Sequence, residues 1–131
     1  MEDLVNAPSH YTKHNITKVI EPIELCETCG FLLGNAFKYL FRYQDKGSPV
    51  LDLRKARFYL ERFLRYAVAE DPIADVSTPN ARYLSYFSAN KFVRAYMNKP
   101  GTSEKERVCA VLELIEEEIL KYQREEKIGV N

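Results

Sequence analysis

Apolar positions recur at helical spacing through most of this chain, and the clearest pattern runs from Gly34 to Leu64. Leu33, Phe37, Leu40 and Phe41 form one stripe, and Leu53, Ala56, Leu60, Phe63, Leu64 and Ala67 form a second. Spacing of three and four residues puts each set on one face of a helix. Between the stripes, Asp45-Lys46-Gly47-Ser48-Pro49 offers a glycine suited to positive φ, then a Ser N-cap and a Pro at the first helical position. The pattern predicts an αα-hairpin over about 31–70.

Other elements follow from start and stop signals. Residues 1–16 read as an extended arm, because Pro8 discourages helix and Ser9, Thr12 and Asn15 favour turns. A short helix is expected from about Glu21 to Thr28, with Pro22 in its first turn and Gly30 as its stop. After a loop over 71–78, Thr78-Pro79 signals a helix to about Asn98, whose apolar side is Tyr83, Tyr86, Val93, Tyr96 and Met97, with Leu84 and Phe87 beside them. Lys99-Pro100-Gly101 breaks it. Ser103 and Glu106 form a capping box for a last helix. Its seam is Val108, Val111, Leu112, Ile115, Ile119 and Tyr122, with Glu113, Glu116, Glu117 and Glu118 on its back. The expected fold is all-α: a single-domain bundle of about five helices over 1–131, with an arm (1–16), a motif-bearing core (17–70) and a C-terminal helical pair (71–131).

Composition supports a packed domain, since 46% of the residues are hydrophobic and the length suffices for a core without disulfides. Three cysteines and no apolar run near eighteen residues point to a soluble cytoplasmic protein with no membrane partner. The net charge is zero, which argues against a general nucleic-acid coat, so no nucleic-acid partner is expected. That sum conceals an asymmetry. Residues 34–65 carry eight Lys/Arg against three acids, whereas 102–131 carry eight Glu against five Lys/Arg. Sixteen Tyr and Phe exceed what a small core needs, so some tyrosines belong at a surface.

The hairpin's polar positions carry the candidate chemistry. Asn35, Lys38, Tyr39 and Arg42 share one face of its first helix, and Asp52, Lys55, Tyr59 and Arg62 share one face of its second. Converging, they would hold a phosphate, because an anion bound without a glycine loop needs several Lys or Arg donors in fixed geometry. The plain alternative is two solvated faces with i, i+4 ion pairs. Gly34 and Asn35 are both weak helix formers, which suggests close backbone approach to something. His10, in the arm, is suited to proton transfer or phosphate donation, or is an ordinary histidine. Cys26 and Cys29 with His10 and His14 make a Cys2His2 count whose order and helical context fit no familiar zinc site, so no metal ligand set is assigned. Glu21, Glu24 and Glu27 with Glu113, Glu116 and Glu117 would supply carboxylates for Mg²⁺ if the first and last helices met, as in all-α nucleotide pyrophosphatases. No G-x4-G-K-[ST], G-x-G-x-x-G or G-x-S-x-G is present.

Several short motifs share an order and spacing: Pro8-Ser9-His10-Tyr11, Ile20-Glu21-Pro22-Ile23, Gly30-Phe31, Gly34-Asn35-Ala36-Phe37-Lys38-Tyr39, Arg42, Lys46-Gly47, and Asp52-Leu53-x-Lys55-Ala56-x2-Tyr59-Leu60. Over about residues 5–65 the chain resembles a family of short phage proteins, long catalogued as a domain of unknown function, that includes an unusual deoxynucleoside monophosphate kinase. That resemblance implies phosphoryl transfer from a nucleoside triphosphate to a deoxynucleoside monophosphate such as dTMP or dGMP, with Mg²⁺ as a candidate ion. It also implies a homo-oligomer in the cytoplasm, the host's if the protein is phage-encoded. It carries His10, Lys38, Arg42 and Lys55 as catalytic residues, and Tyr11, Asn35, Tyr39, Lys46, Asp52 and Tyr59 as substrate-binding ones. In this scheme the cations neutralise phosphate oxygens, His10 donates to one, Tyr11 or Tyr39 stacks on the base, and Asp52 orients Lys55 or a metal. Two other readings stand beside it: an all-α nucleoside triphosphate pyrophosphohydrolase, and a non-enzymatic protein that binds nucleotide or a host factor.

Overall fold

The computed structural model describes residues 19–45, 47–69, 79–97 and 101–128. Among the described residues six helices follow in order: α1 (Pro22–Glu27), α2 (Phe31–Arg42), α3 (Pro49–Ala69), α4 (Ala81–Tyr86), α5 (Lys91–Tyr96) and α6 (Glu104–Ile128). No strand occurs among the described residues. The architecture is all-α, as the periodicity predicts.

The α2–α3 hairpin is the centre of the fold. Its first helix buries Leu32, Leu33, Ala36, Phe37 and Leu40, and its second buries Leu53, Ala56, Leu60 and Phe63. Phe41 is only half-buried, at the margin, with its ring 5.0 Å from that of Phe87. The hairpin's remaining apolar surface is covered on one side by α6 and on another by α1, while α5 packs on α6 and α4 ties back to α1. The α6 seam of Val108, Val111, Ile115 and Ile119 is buried as its spacing predicts, with Leu112 and Tyr122 half-buried. Its capping box forms: Ser103 N–H donates to Glu106 (2.7 Å) and Glu106 N–H donates to the Ser103 hydroxyl (3.1 Å). Each large aliphatic or phenylalanine side chain buried in this core contributes about 1.5–3 kcal/mol toward offsetting the ordering of the chain.

Three elements depart from expectation. The helix predicted from Thr78-Pro79 to Asn98 is two short ones. Asn80, not Thr78, caps α4, its side chain accepting from Arg82 N–H (2.9 Å) and Tyr83 N–H (3.2 Å). Asn90 caps α5, accepting from Phe92 N–H (2.9 Å) and Val93 N–H (3.2 Å), and donates to the Leu40 carbonyl (3.3 Å). The chain breaks there because this side chain replaces the helical bonds a continuous helix would make. The buried side is therefore Leu84, Phe92, Val93 and Tyr96, whereas Tyr86 and Met97 are exposed and Tyr83 half-buried. Gly47 does not adopt positive φ. Gly30 does (φ 79°), as the residue that both follows α1 and caps α2.

Glu118 is the third departure. Expected on the outer back of the last helix, it is 4% exposed. It is held by Tyr43, whose hydroxyl donates to one oxygen (2.8 Å), and by the Lys91 ammonium on the other (2.5 Å). Burial pushes its carboxyl up, but the hydrogen bonds from Lys91 and Tyr43 and the charges of Lys91 and Lys121 outweigh that and hold it below the usual range.

Candidate functional site: a cationic cradle beside an apolar groove

The hairpin brings together the charges that the sequence separates. Lys38 and Arg42 come from α2, and Lys55 comes from α3. All three surround one aromatic ring, that of Tyr39: the Lys38 ammonium lies 4.8 Å from its centroid, the Arg42 guanidinium 4.8 Å and the Lys55 ammonium 5.4 Å. Three cations so close repel one another, and the negative face of an aromatic ring offsets part of that, by about 0.5–1 kcal/mol per exposed contact. The Tyr59 ring lies parallel to Tyr39, centroids 6.2 Å apart, and Phe31 meets Tyr59 edge-on at 6.0 Å. Tyr39 is thus a platform gathering positive charge.

Asp52 sits inside this cluster rather than on the solvent face where the spacing puts it. It is 4% exposed, and one oxygen lies 3.7 Å from Arg42 Nε. Both of these atoms are buried, and neither has a hydrogen-bond partner among the described residues. The distance is right for an ion pair and too long for a hydrogen bond. The predicted partner of Asp52, Lys55, is not its partner; Arg42 is. A buried carboxylate beside Nε restricts the guanidinium, whose side chain keeps 37% of its exposure.

Gly34 and Asn35 have an internal explanation. A Cβ on Gly34 would lie 2.7 Å from the Cys26 carbonyl oxygen, so the close approach is between α1 and α2. The Asn35 amide donates to the Phe31 carbonyl one turn earlier (2.8 Å), which accommodates a poor helix former on an exposed turn. Contacts within the chain thus account for both residues, and Asn35 also lines the space beside them.

That space is a groove of about 510 Å³ between α1 and α2. Pro22, Ile23, Cys26, Phe31 and Phe41 supply its apolar lining, and Lys38 and Arg42, with Glu27 and Asp45, its charged lining. Burial pushes the Cys26 thiol up to about 11 against the downward pull of the Lys38 charge, so it is a neutral wall of the groove at pH 7. Cys29 is buried, its thiol donating to the Leu25 carbonyl (3.2 Å).

Of the ten residues proposed from sequence, the structure assembles Lys38, Tyr39, Arg42, Asp52, Lys55 and Tyr59, and sets Asn35 at the groove. His10, Tyr11 and Lys46 lie outside the described residues, as does His14. The groove itself is not foreseeable from spacing, since its walls come from two helices. Phe31 (65% exposed) and Phe58 (58% exposed) did leave a signal: both are aromatic positions off their helix's apolar stripe.

The acidic cluster does not assemble. Among the described residues no three of His, Cys, Asp and Glu come close enough to hold a metal ion. Glu116 instead pairs with Arg57 at 2.6 Å. These residues therefore offer Mg²⁺ no protein cage. No helix among the described residues is long and apolar enough to cross a membrane.

An all-α hairpin carrying a cationic, aromatic cradle beside an apolar groove defines the class of the molecule. Residues 5–61, which include α1, α2 and much of α3, match the model of a family described as protein of unknown function (DUF3310). No curated protein and no solved structure matches the chain.

Proposed function

We propose that the groove and cradle bind a nucleotide, and that the protein acts as a nucleoside monophosphate kinase-like enzyme on a deoxynucleoside monophosphate such as dTMP or dGMP. The observation that carries the binding half is the arrangement of Lys38, Arg42 and Lys55 around Tyr39, beside an apolar groove. A ligand that satisfies both must have a flat apolar end and an anionic end. A groove of that size also lies within the usual range for small-molecule sites. In this reading the base enters between α1 and α2, against Phe31 and Phe41, and the phosphate meets Lys38, Arg42 and Lys55. Tyr39 holds the cations instead of stacking on the base.

The catalytic half rests on the family resemblance and on the economy of phosphoryl transfer, which needs positioning and charge neutralisation more than covalent chemistry. Arg42, restrained by Asp52, presents a fork to the phosphate oxygens, and Lys38 and Lys55 supply point charges. His10, Tyr11 and Lys46 belong to the same proposal as further donors from the arm and the hairpin turn. A nucleoside triphosphate is the donor, and any Mg²⁺ is held mainly by its phosphates.

Incubating the protein with ATP and each of the four dNMPs, with separation of the products, tests this directly. The expected result is a dNDP from at least one of them, lost in Lys55→Ala. Pyrophosphate released from a dNTP without an acceptor would instead identify a pyrophosphohydrolase. Stabilisation by dNMP with no product would leave a nucleotide-binding protein.

A further inference from the structure

The cationic surface does not end at the cradle. Along α3, Lys55, Tyr59, Arg62 and Tyr66 follow at i, i+4, i+7 and i+11, with Phe58 and Arg65 beside them on the same side of the helix. None is in the core. Lys55, Phe58 and Arg65 are exposed, and Tyr59, Arg62 and Tyr66 are half-buried. The rings are held rather than loose: Phe58 meets Tyr59 edge-on at 5.4 Å, and Arg62 donates to the Tyr66 hydroxyl (3.2 Å) with its guanidinium 5.4 Å from that ring. Glu61 lies beside the strip, at a small depression it shares with Phe58, Arg62 and Arg65.

An exposed phenylalanine among arginines has no account in packing. It makes sense where the partner is itself planar and anionic. From Lys55 to Tyr66 the helix rises about 16 Å. A strand stacked at about 3.4 Å per nucleotide passes roughly five phosphates over that length. We infer that this face of α3 is a binding strip for single-stranded nucleic acid, with bases on Phe58, Tyr59 and Tyr66 and the backbone on Lys55, Arg62 and Arg65. Alternating ring and cation is how sequence-tolerant strand binders work. Zero net charge conceals it, because acids elsewhere in the chain, eight Glu on α6 among them, balance the sum. The inference does not require phosphoryl transfer, and only Lys55 and Tyr59 are shared with the cradle.

The test is fluorescence anisotropy of the full chain with labelled dT15 and U15 in 50–300 mM salt. Alongside it, dNMP thermal shift is measured on the same samples, together with the variant Phe58→Ala/Arg65→Glu. Both substitutions are at exposed positions, and an unchanged melting curve verifies that the variant is folded. The expected result is binding of at least one oligonucleotide, weakened tenfold or more in the variant, with log K falling against log salt at a slope of about −2 for three cations. The dNMP shift should survive the double substitution. Binding of dT15 over U15, or the reverse, identifies the strand as DNA or RNA. No binding at 50 mM salt overturns the inference, as does binding that the variant leaves unchanged. Salt-sensitive self-association that the variant abolishes, without oligonucleotide binding, also overturns it and assigns the face to the acidic surface of a second copy. A dNMP shift without oligonucleotide binding ends this inference alone.

Discussion

Glu118 shows how one side chain joins distant parts of the chain. Tyr43 stands at the end of α2, Lys91 opens α5, and Glu118 lies about four turns into α6, yet all three meet at one carboxylate. Removing Lys91 leaves a nearly buried acceptor without its cation, at a cost of about 1–3 kcal/mol, discounted toward the lower end because Lys91 is itself partly exposed. Lys91→Ala should therefore lower the urea midpoint at pH 7 with an unchanged slope. The pH dependence has a definite sign. The folded carboxyl titrates below its unfolded value, so the stability it contributes is present above the unfolded pKa of about 4.3 and is lost as pH falls through the lower folded value. Between pH 7 and 3 the stability difference between wild type and Lys91→Ala should narrow. A gap that stays constant down to pH 3 would mean that Lys91 acts through packing alone.

At the scale of elements, the parts legible in the sequence are those whose signals are local. Ser48-Pro49, the Ser103–Glu106 box and the hairpin's two stripes each depend on residues within a few positions of one another, and they place α2, α3 and α6 closely. The division of α4 from α5 depends on Asn90, whose side chain serves two masters: it caps α5 and donates across to Leu40 in α2. A strong N-cap residue followed by Lys91-Phe92-Val93 was a usable local signal, but the bond to Leu40 was not, because it joins positions fifty residues apart. Asn90→Ala should cost about 1–2 kcal/mol, as a lost cap with some lost tertiary bonding. Asn90→Asp, which keeps the cap acceptor and loses the amide donor, should recover part of that in thermal melts. Equal losses from both would place the stabilisation wholly in the bond to α2.

For the whole molecule, the cradle was legible and the groove was not. Periodicity alone predicts that Lys38, Arg42 and Lys55 face one way on paired helices; it cannot show that Asp52 turns inward to Arg42 or that α1 leaves space beside α2. These two features separate the cations into different roles. Lys38 is exposed, and Lys38→Ala should change stability by no more than about 0.5 kcal/mol. Arg42→Ala leaves the Asp52 carboxylate buried opposite nothing and should cost about 1–3 kcal/mol. Both should abolish the rise in melting temperature produced by a dNMP, because bound ligand stabilises only through its affinity for the folded state. Adding Asp52→Asn to Arg42→Ala removes the stranded charge, so the double variant should be more stable than Arg42→Ala while still failing to respond to nucleotide. That non-additivity, measured by urea unfolding with and without dNMP, distinguishes a residue that holds a ligand from one that only holds the fold. Were Arg42→Ala as stable as the wild type, Asp52 would not depend on it. Were the dNMP response intact in Lys38→Ala and in the double variant alike, the cradle would not be where the phosphate binds.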